Sequence, residues 1–215
     1  METTEAAGRD EGDLRATVLH IAWLAVGLGI AVEIVLLAVQ AIFKTTPGAN
    51  ALVADLVGKI SWSMVVCSGL AFGKAASKGQ AAWTGMSGLL AAPAAFTVAR
   101  TLQKSAAYAL GVAAGPGSAA SPLILGILKG LEYAALGLLL AWIGKRRAGA
   151  AAHAAAGLAV GLVFGGALIA VLLYYAAAPP PAHALVTQGV NEVLFPIGCS
   201  LAIFAAETLG KKVGR

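Results

Sequence analysis

Charged residues are scarce in this chain of 215 residues, of which 12% are charged and 59% hydrophobic. A soluble domain carries about a quarter charged residues, so the composition argues against an ordinary soluble enzyme. Acids are rarest beyond the N-terminal segment, because five of the ten acidic residues precede residue 14. The rest of the chain therefore contains windows of about 20 apolar residues, each long enough to cross the hydrocarbon core of a bilayer.

Cysteine is nearly absent as well. The two cysteines, Cys67 and Cys199, lie alone in apolar runs without a C-x-x-C partner. Their spacing suggests neither a disulfide framework nor a thiol redox motif of that kind. We expect both to be small apolar residues of the core.

Motifs of hydrolytic or nucleotide-dependent chemistry are missing. The sequence has no H-E-x-x-H, no Walker loop, no G-x-S-x-G and no plausible triad of serine, histidine and aspartate, which are patterns by which such enzymes are recognised. We therefore expect a protein that is not an enzyme, with no catalytic residue and no metal site, and we assign no cofactor.

Six apolar runs organise the chain, at 17–43, 51–73, 81–100, 121–143, 152–176 and 184–209. They predict an all-α, polytopic membrane protein with six transmembrane helices. The first 13 residues are acidic and polar, unlike the basic start of a signal peptide. We predict a flexible acidic tail at 1–13 and a single transmembrane domain at 14–215.

Basic residues alternate between the connections. Ten lie before the first span, between the second and third, between the fourth and fifth, and after the sixth, whereas Lys44, Arg100 and Lys104 lie in the opposite connections. This asymmetry predicts a multi-pass protein of the cell (inner) membrane with both termini cytoplasmic. Because the bases form short clusters between apolar spans, the expected partner is the lipid bilayer and not nucleic acid.

The first and last thirds of the chain resemble each other at an offset of 132 to 134 residues. The matching pairs are His20 with His153, 24–28 with 158–162, Pro47 with Pro180, 51–53 with 184–186, and 67–68 with 199–200. A collinear series of this kind indicates a duplication of a two-helix unit.

The middle of the chain matches the same unit less well. Gln80 aligns with His20, Pro116 aligns with Pro47 after a longer outer loop, and Tyr133 falls level with Trp62 and Phe195. We predict three tandem helical hairpins, at 17–73, 81–143 and 152–209. Repeats of two spans keep their orientation, so the hairpins would be related in parallel by a pseudo-threefold axis along the membrane normal.

Glycines recur every four residues on the fifth span, at Gly157, Gly161 and Gly165. Small residues at this spacing let helix backbones approach closely in a bilayer. The stripe indicates either a homo-oligomer or membrane-complex interface, or packing inside the six-helix bundle. We favour packing inside the bundle, because every helix there needs a close neighbour.

Polar residues inside the spans fall in one layer. The predicted site residues are Glu33, Lys59, Lys129, Glu132, Asn191 and Glu192. Each lies roughly 10 to 17 Å from an outer helix end at 1.5 Å per residue, hence in the outer half of the bilayer. A charge facing lipid at this depth is unfavourable, so these groups should face the bundle interior.

The layer contains three carboxylates and two ammonium groups, which leaves one acid in excess. The repeat suggests that Lys59 pairs with Glu192, and the i, i+3 spacing suggests that Lys129 pairs with Glu132. The excess carboxylate would be protonated or would bind a cation. The alternative is a set of ion pairs that only hold the hairpins together.

Pro196 predicts a helix break beside this layer, because proline lacks the N–H that would bond the carbonyl of Glu192. A freed carbonyl next to Asn191 and the Glu192 carboxylate would supply oxygen ligands for a cation.

Two further sets of polar residues allow more than one interpretation. One hypothesis makes His20 and His153 a pair of haem ligands or a proton entry. The alternative, which we favour, places them at the membrane interface. Arg100, Lys104 and Tyr108 form a stripe on a helical extension of the third span, where they contact lipid phosphates or snorkel.

These patterns favour a transporter or channel for a small solute, cation or proton. Glu192, Asn191 and Glu33 would be the ligands, and Lys59 and Lys129 the counter-charges. The alternative is a non-catalytic structural or assembly subunit of a larger membrane complex. A cavity that reaches the charged layer would favour transport, whereas charges paired off in a dry bundle would favour the structural subunit.

Overall fold

The computed structural model describes the backbone of residues 2–76, 80–112 and 120–213, and the side chains of residues 19–76, 80–112 and 120–208. Within these ranges the chain folds into six α-helices. They are α1 (Glu2–Ile42), α2 (Ala49–Ala76), α3 (Ala81–Ala109), α4 (Pro122–Lys145), α5 (Ala150–Tyr175) and α6 (Ala182–Val213).

All six helices can span a membrane. Their apolar segments are 24 to 29 residues long, and about 20 residues suffice to cross the hydrocarbon core. The prediction of an all-α protein with six spans is confirmed. The third helix continues to Ala109, so the helical extension expected around Arg100 is present.

α1 begins earlier than expected. Its backbone is helical from Glu2, so it includes residues 2–13 of the segment that we predicted as a flexible tail. The predicted mobility of that segment is a separate property and stays a prediction. The Pro116 position used to align the middle hairpin lies outside the described residues.

The even-numbered helices meet at the centre of the bundle, where α2, α4 and α6 contact one another. Each odd-numbered helix contacts two of them: α1 contacts α2 and α6, α3 contacts α2 and α4, and α5 contacts α4 and α6. Lipid offers no hydrophobic drive for association, so such contacts depend on close fit. The arrangement directs one face of every even-numbered helix to a common interior.

The helix ends at the α1–α2, α3–α4 and α5–α6 connections lie together. Asn50 donates a hydrogen bond to the carbonyl of Leu110 at 3.0 Å, and the rings of Phe43 and His183 are 6.4 Å apart. At the other end Lys74 pairs with Glu207 at 2.5 Å. Following the predicted orientation, we call the half of the bundle next to those three connections the outer half.

The glycine stripe of α5 packs inside the bundle. A Cβ atom on Gly157 would lie 2.5 Å from the Cα of Ile197, and one on Gly161 would lie 2.8 Å from the Cα of Val193. Gly165 faces the side chain of Glu192 in the same way. These contacts with α6 of the same chain support the interpretation of the stripe as packing inside the bundle.

Candidate functional site

Five of the six predicted site residues form two buried ion-pair groups in the outer half. Lys129 of α4 binds Glu132 at 2.7 Å on its own helix and also binds Glu192 of α6. Lys59 of α2 binds Glu33 of α1. The predicted contact of Lys129 with Glu132 is confirmed, and so is the inward placement of the charges.

The predicted pairing of Lys59 with Glu192 is wrong. The repeat places the two residues at equivalent positions of α2 and α6, but α1 lies next to α2 and brings Glu33 to Lys59. Glu192 instead pairs with Lys129 and accepts a hydrogen bond from Gln188 at 2.5 Å. Equivalent positions in a repeat need not contact each other, since contact depends on which helices are neighbours.

The ion pairs are deeply buried. Glu132 is 0% exposed, Glu192 is 2% and Glu33 is 4% exposed. One ammonium group, that of Lys129, serves two carboxylates, so the three acids and two lysines retain the excess negative charge expected from the sequence. A net charge in low dielectric favours the uptake of a proton or a cation.

A cavity of about 450 Å³ reaches this charged layer. All six helices contribute to its wall, and its polar lining residues are Gln40, Asp55, Lys59, Arg100, Gln103, Lys129, Thr187, Gln188, Asn191 and Glu192. The volume falls in the range of roughly 300 to 1,000 Å³ that is usual for small-molecule sites. Asn191, the sixth predicted site residue, therefore belongs to the cavity wall.

An aromatic cluster closes the cavity toward the other half of the bundle. The rings of Trp62 and Tyr133 are 5.7 Å apart, and those of Trp62 and Phe195 are 6.5 Å apart, both edge to face. These residues follow Lys59, Lys129 and Glu192 by about one helical turn. We call Trp62, Tyr133 and Phe195 the aromatic floor.

Pro196 lies inside α6, which runs through it without interruption. The carbonyl oxygen of Glu192 faces α5, where a Cβ on Gly161 would lie 3.0 Å away. The carbonyl that Pro93 frees, that of Leu89, lies in the same way against Gly130 of α4. Each freed carbonyl is thus covered by a glycine backbone, which permits a weak C–H···O contact.

The two predicted histidines are not brought together. His20 is exposed on α1, whereas His153 on α5 is 2% exposed and lies against the ring of Phe204 at 4.9 Å. The described parts of α1 and α5 make no contact with each other. The geometry gives no support to a shared haem, and the described ranges hold no group of three or more His, Cys, Asp or Glu side chains suited to a metal ion.

Several cavity residues were not recognised in the sequence. Asp55 precedes Lys59 by four residues, and Gln188 precedes Glu192 by four. This i, i+4 spacing places each pair on one helix face, so helical periodicity could have identified both. Arg100 was assigned to the lipid surface, but it lines the cavity, whereas Lys104 and Tyr108 are exposed.

No protein-family model, curated protein or solved structure matches this chain significantly, so the comparisons assign it to no family.

Proposed function

We propose that this protein is a membrane transporter for a small polar solute, cation or proton, and that the cavity in the outer half is its binding site. The observation that carries the proposal is that charged residues form part of the cavity wall. A space of about 450 Å³ bordered by all six helices has Lys59, Lys129 and Glu192 in its wall.

The energetics of the bilayer support a functional role for this wall. A charged side chain within the hydrocarbon region is unfavourable by at least about 2.5–3.5 kcal/mol near its centre, and such residues usually line solute or ion pathways. Charges paired off in a dry bundle would favour a structural role alone. Lys129 and Glu192 instead border a cavity.

The predicted internal repeat is consistent with a site on the bundle axis. Trp62, Tyr133 and Phe195 fall level with one another in the repeat alignment, and they meet in the aromatic floor. The helices that carry them, α2, α4 and α6, contact one another at the centre. Three parallel hairpins around one axis would place their equivalent faces around a single site, as in other transporters built from repeats.

The aromatic floor favours a transporter over an open channel. Beyond it, toward the other membrane face, the centre is filled by fully buried side chains, among them Leu70, Leu136 and Leu140. A solute in the cavity therefore meets a packed core. Passage would require the helices to rearrange, which is the behaviour of an alternating-access carrier.

One observation favours the alternative, a structural subunit. The two ion-pair groups connect α1 with α2 and α4 with α6, so they hold four helices together. Paired charges of this kind can serve conformational specificity alone. The two functions differ in whether any solute crosses the membrane.

Flux measurements in liposomes test the proposal. The full chain would be reconstituted, and uptake of ²²Na⁺, of protons with a pH-sensitive dye, and of a radiolabelled mixture of amino acids would be followed. We expect uptake of at least one probe, and we expect Glu192→Gln to abolish it. Glu207→Gln is the matched control, because Glu207 pairs with Lys74 at the opposite end of the bundle.

Two outcomes would contradict the proposal. Unchanged uptake by the Glu192→Gln variant would contradict the assignment of the site. If the folded wild-type protein took up none of the probes, the proposal that it transports these solutes would be wrong, and the structural subunit would be favoured.

A further inference from the structure

We propose that the cavity binds a zwitterionic solute, with the solute's ammonium group at Asp55 and its carboxylate at Arg100. This inference rests on the proposed function, because it names the substrate class of the same cavity. It derives from two charged residues of the cavity wall that take part in none of the ion pairs described above.

Five charged residues line the cavity: Asp55, Lys59, Arg100, Lys129 and Glu192. Three of them, Lys59, Lys129 and Glu192, take part in ion pairs. Asp55 and Arg100 have no oppositely charged group within 4.0 Å among the residues described, and they do not pair with each other. Outside the ion-pair groups, the described part of the wall thus presents one anion and one cation that have no oppositely charged partner.

Their present contacts leave both groups able to bind a ligand. The carboxylate of Asp55 accepts a hydrogen bond from the neutral amide of Gln103 at 2.6 Å. The guanidinium of Arg100 lies over the ring of Phe96, 5.3 Å from its centroid. A guanidinium is planar, and its N–H groups match the two oxygens of a carboxylate.

The two groups are separate but close. Asp55 lies on α2 and Arg100 on α3, which are packed neighbours. Gln103, which contacts Asp55, follows Arg100 by one helical turn, or roughly 4.5 Å along α3. Arg100 therefore lies deeper in the cavity than Asp55, and a solute with one charge at each end can reach both.

Further acceptors line the same cavity. The Oε1 atom of Gln40 on α1 and the Oγ1 atom of Thr187 on α6 are buried without a hydrogen-bond partner in the described part of the chain. Both residues line the same cavity, and α1, α2 and α6 contact one another. A primary ammonium group donates three hydrogen bonds, so Asp55, Gln40 and Thr187 together match its requirement.

Other occupants fit less well. A metal cation would leave Arg100 uncompensated, and a simple anion would leave Asp55 and the two orphaned oxygens without a donor. A quaternary ammonium group cannot donate hydrogen bonds. The pattern selects a solute that carries both a primary amine and a carboxylate.

Thermal stabilisation of the full-length protein in detergent tests the inference without requiring flux. The probes are glycine, β-alanine, γ-aminobutyrate and δ-aminovalerate, which separate the two charges by successive methylene groups, together with butyrate and butylamine, which carry one charge each. We expect at least one amino acid to raise the melting temperature in a saturable manner. Butyrate and butylamine should bind about tenfold more weakly or worse, since each loses a charged hydrogen-bond partner.

Variants assign the two ends. Asp55→Asn and Arg100→Gln should each weaken binding of the amino acid about tenfold or more, and Lys104→Gln, an exposed neighbour on α3, should not. Equal binding of the single-charge analogues, unchanged binding by both variants, or no binding of any amino acid would overturn the inference. Binding without flux in liposomes would overturn only the proposed transport, and flux of Na⁺ or protons without amino-acid binding would overturn only the inference.

Discussion

Lys129 of α4 and Glu192 of α6 form an ion pair across the centre of the bundle, while the same ammonium group holds Glu132 at 2.7 Å. A single lysine thus contacts two carboxylates that are almost completely buried. The pair connects two helices at the depth where the cavity ends. The group therefore joins α4 and α6 beside the cavity.

Replacement of Lys129 by methionine should destabilise the fold strongly. The variant leaves Glu132 and Glu192 buried without a counter-charge, and breaking a buried pair typically lowers the free energy of unfolding by roughly 3–5 kcal/mol. Unfolding in detergent, followed by tryptophan fluorescence, measures the change. Lys104→Met is the control, because that side chain is exposed on α3.

Removal of both acids should restore part of this loss. The triple variant Lys129→Met, Glu132→Gln, Glu192→Gln carries no uncompensated charge in this group, so it should unfold at higher denaturant than Lys129→Met alone. A triple variant that is no more stable than the single variant would contradict the assignment of these contacts.

Truncation of a side chain of the aromatic floor should open the cavity toward the other membrane face. Trp62 is buried and contacts Tyr133 and Phe195, so Trp62→Ala leaves a gap between the cavity and the core. We expect a larger passive leak of protons and Na⁺ across liposomes. Trp23→Ala serves as the control, since Trp23 is 70% exposed on the bundle surface. Equal leaks from the two variants would show that Trp62 is not a barrier.

Two glycines of α5 should differ sharply in their tolerance of alanine. A Cβ at Gly157 would lie 2.6 Å from the carbonyl oxygen of Pro196, whereas a Cβ at Gly166 would meet nothing within 4 Å. Gly157→Ala should lower the free energy of unfolding by roughly 1–3 kcal/mol through overpacking. Gly166→Ala should be neutral or slightly stabilising, because alanine favours helix. Equal stability of the two variants would contradict the observed contact of α5 with α6.

Cysteine labelling tests the predicted orientation. Both native cysteines are buried and free, which keeps the background reaction low. Ala182 and Ala150 are exposed residues that begin α6 and α5 at opposite ends of the bundle. In intact cells a membrane-impermeant maleimide should label the Ala182→Cys variant and not the Ala150→Cys variant. The reverse pattern would place both termini outside the cell.

Local sequence patterns were sufficient for the spans and for the charged layer. Long apolar windows predict transmembrane helices because a bilayer leaves backbone groups no partner other than the helix itself. The same physics explains why the prediction that Glu33, Lys129 and Glu192 face inward is confirmed. Spacing on one helix was equally sufficient for the contact of Lys129 with Glu132.

The contacts between helices could not be predicted from the sequence. The choice of Glu33 as the partner of Lys59, and the place of Arg100 in the cavity wall, depend on which helices are neighbours and how they are rotated. These helices carry apolar residues on all faces. Their sequences therefore show no narrow amphipathic face that would fix the rotation of each helix about its axis. The i, i+4 spacing of Asp55 with Lys59 and of Gln188 with Glu192 is the sequence signal that indicates these two cavity residues.

The scarcity and placement of charge determined by themselves that this chain has six apolar spans and a polar layer in one half of them, because isolated charges in hydrocarbon must be turned inward. Only the tertiary structure decided which charges of that layer pair with each other and which charged residues line the cavity. Close packing of glycine against neighbouring backbones sets the helix positions, and those positions pair three acids with two lysines while leaving Asp55 and Arg100 at a shared cavity.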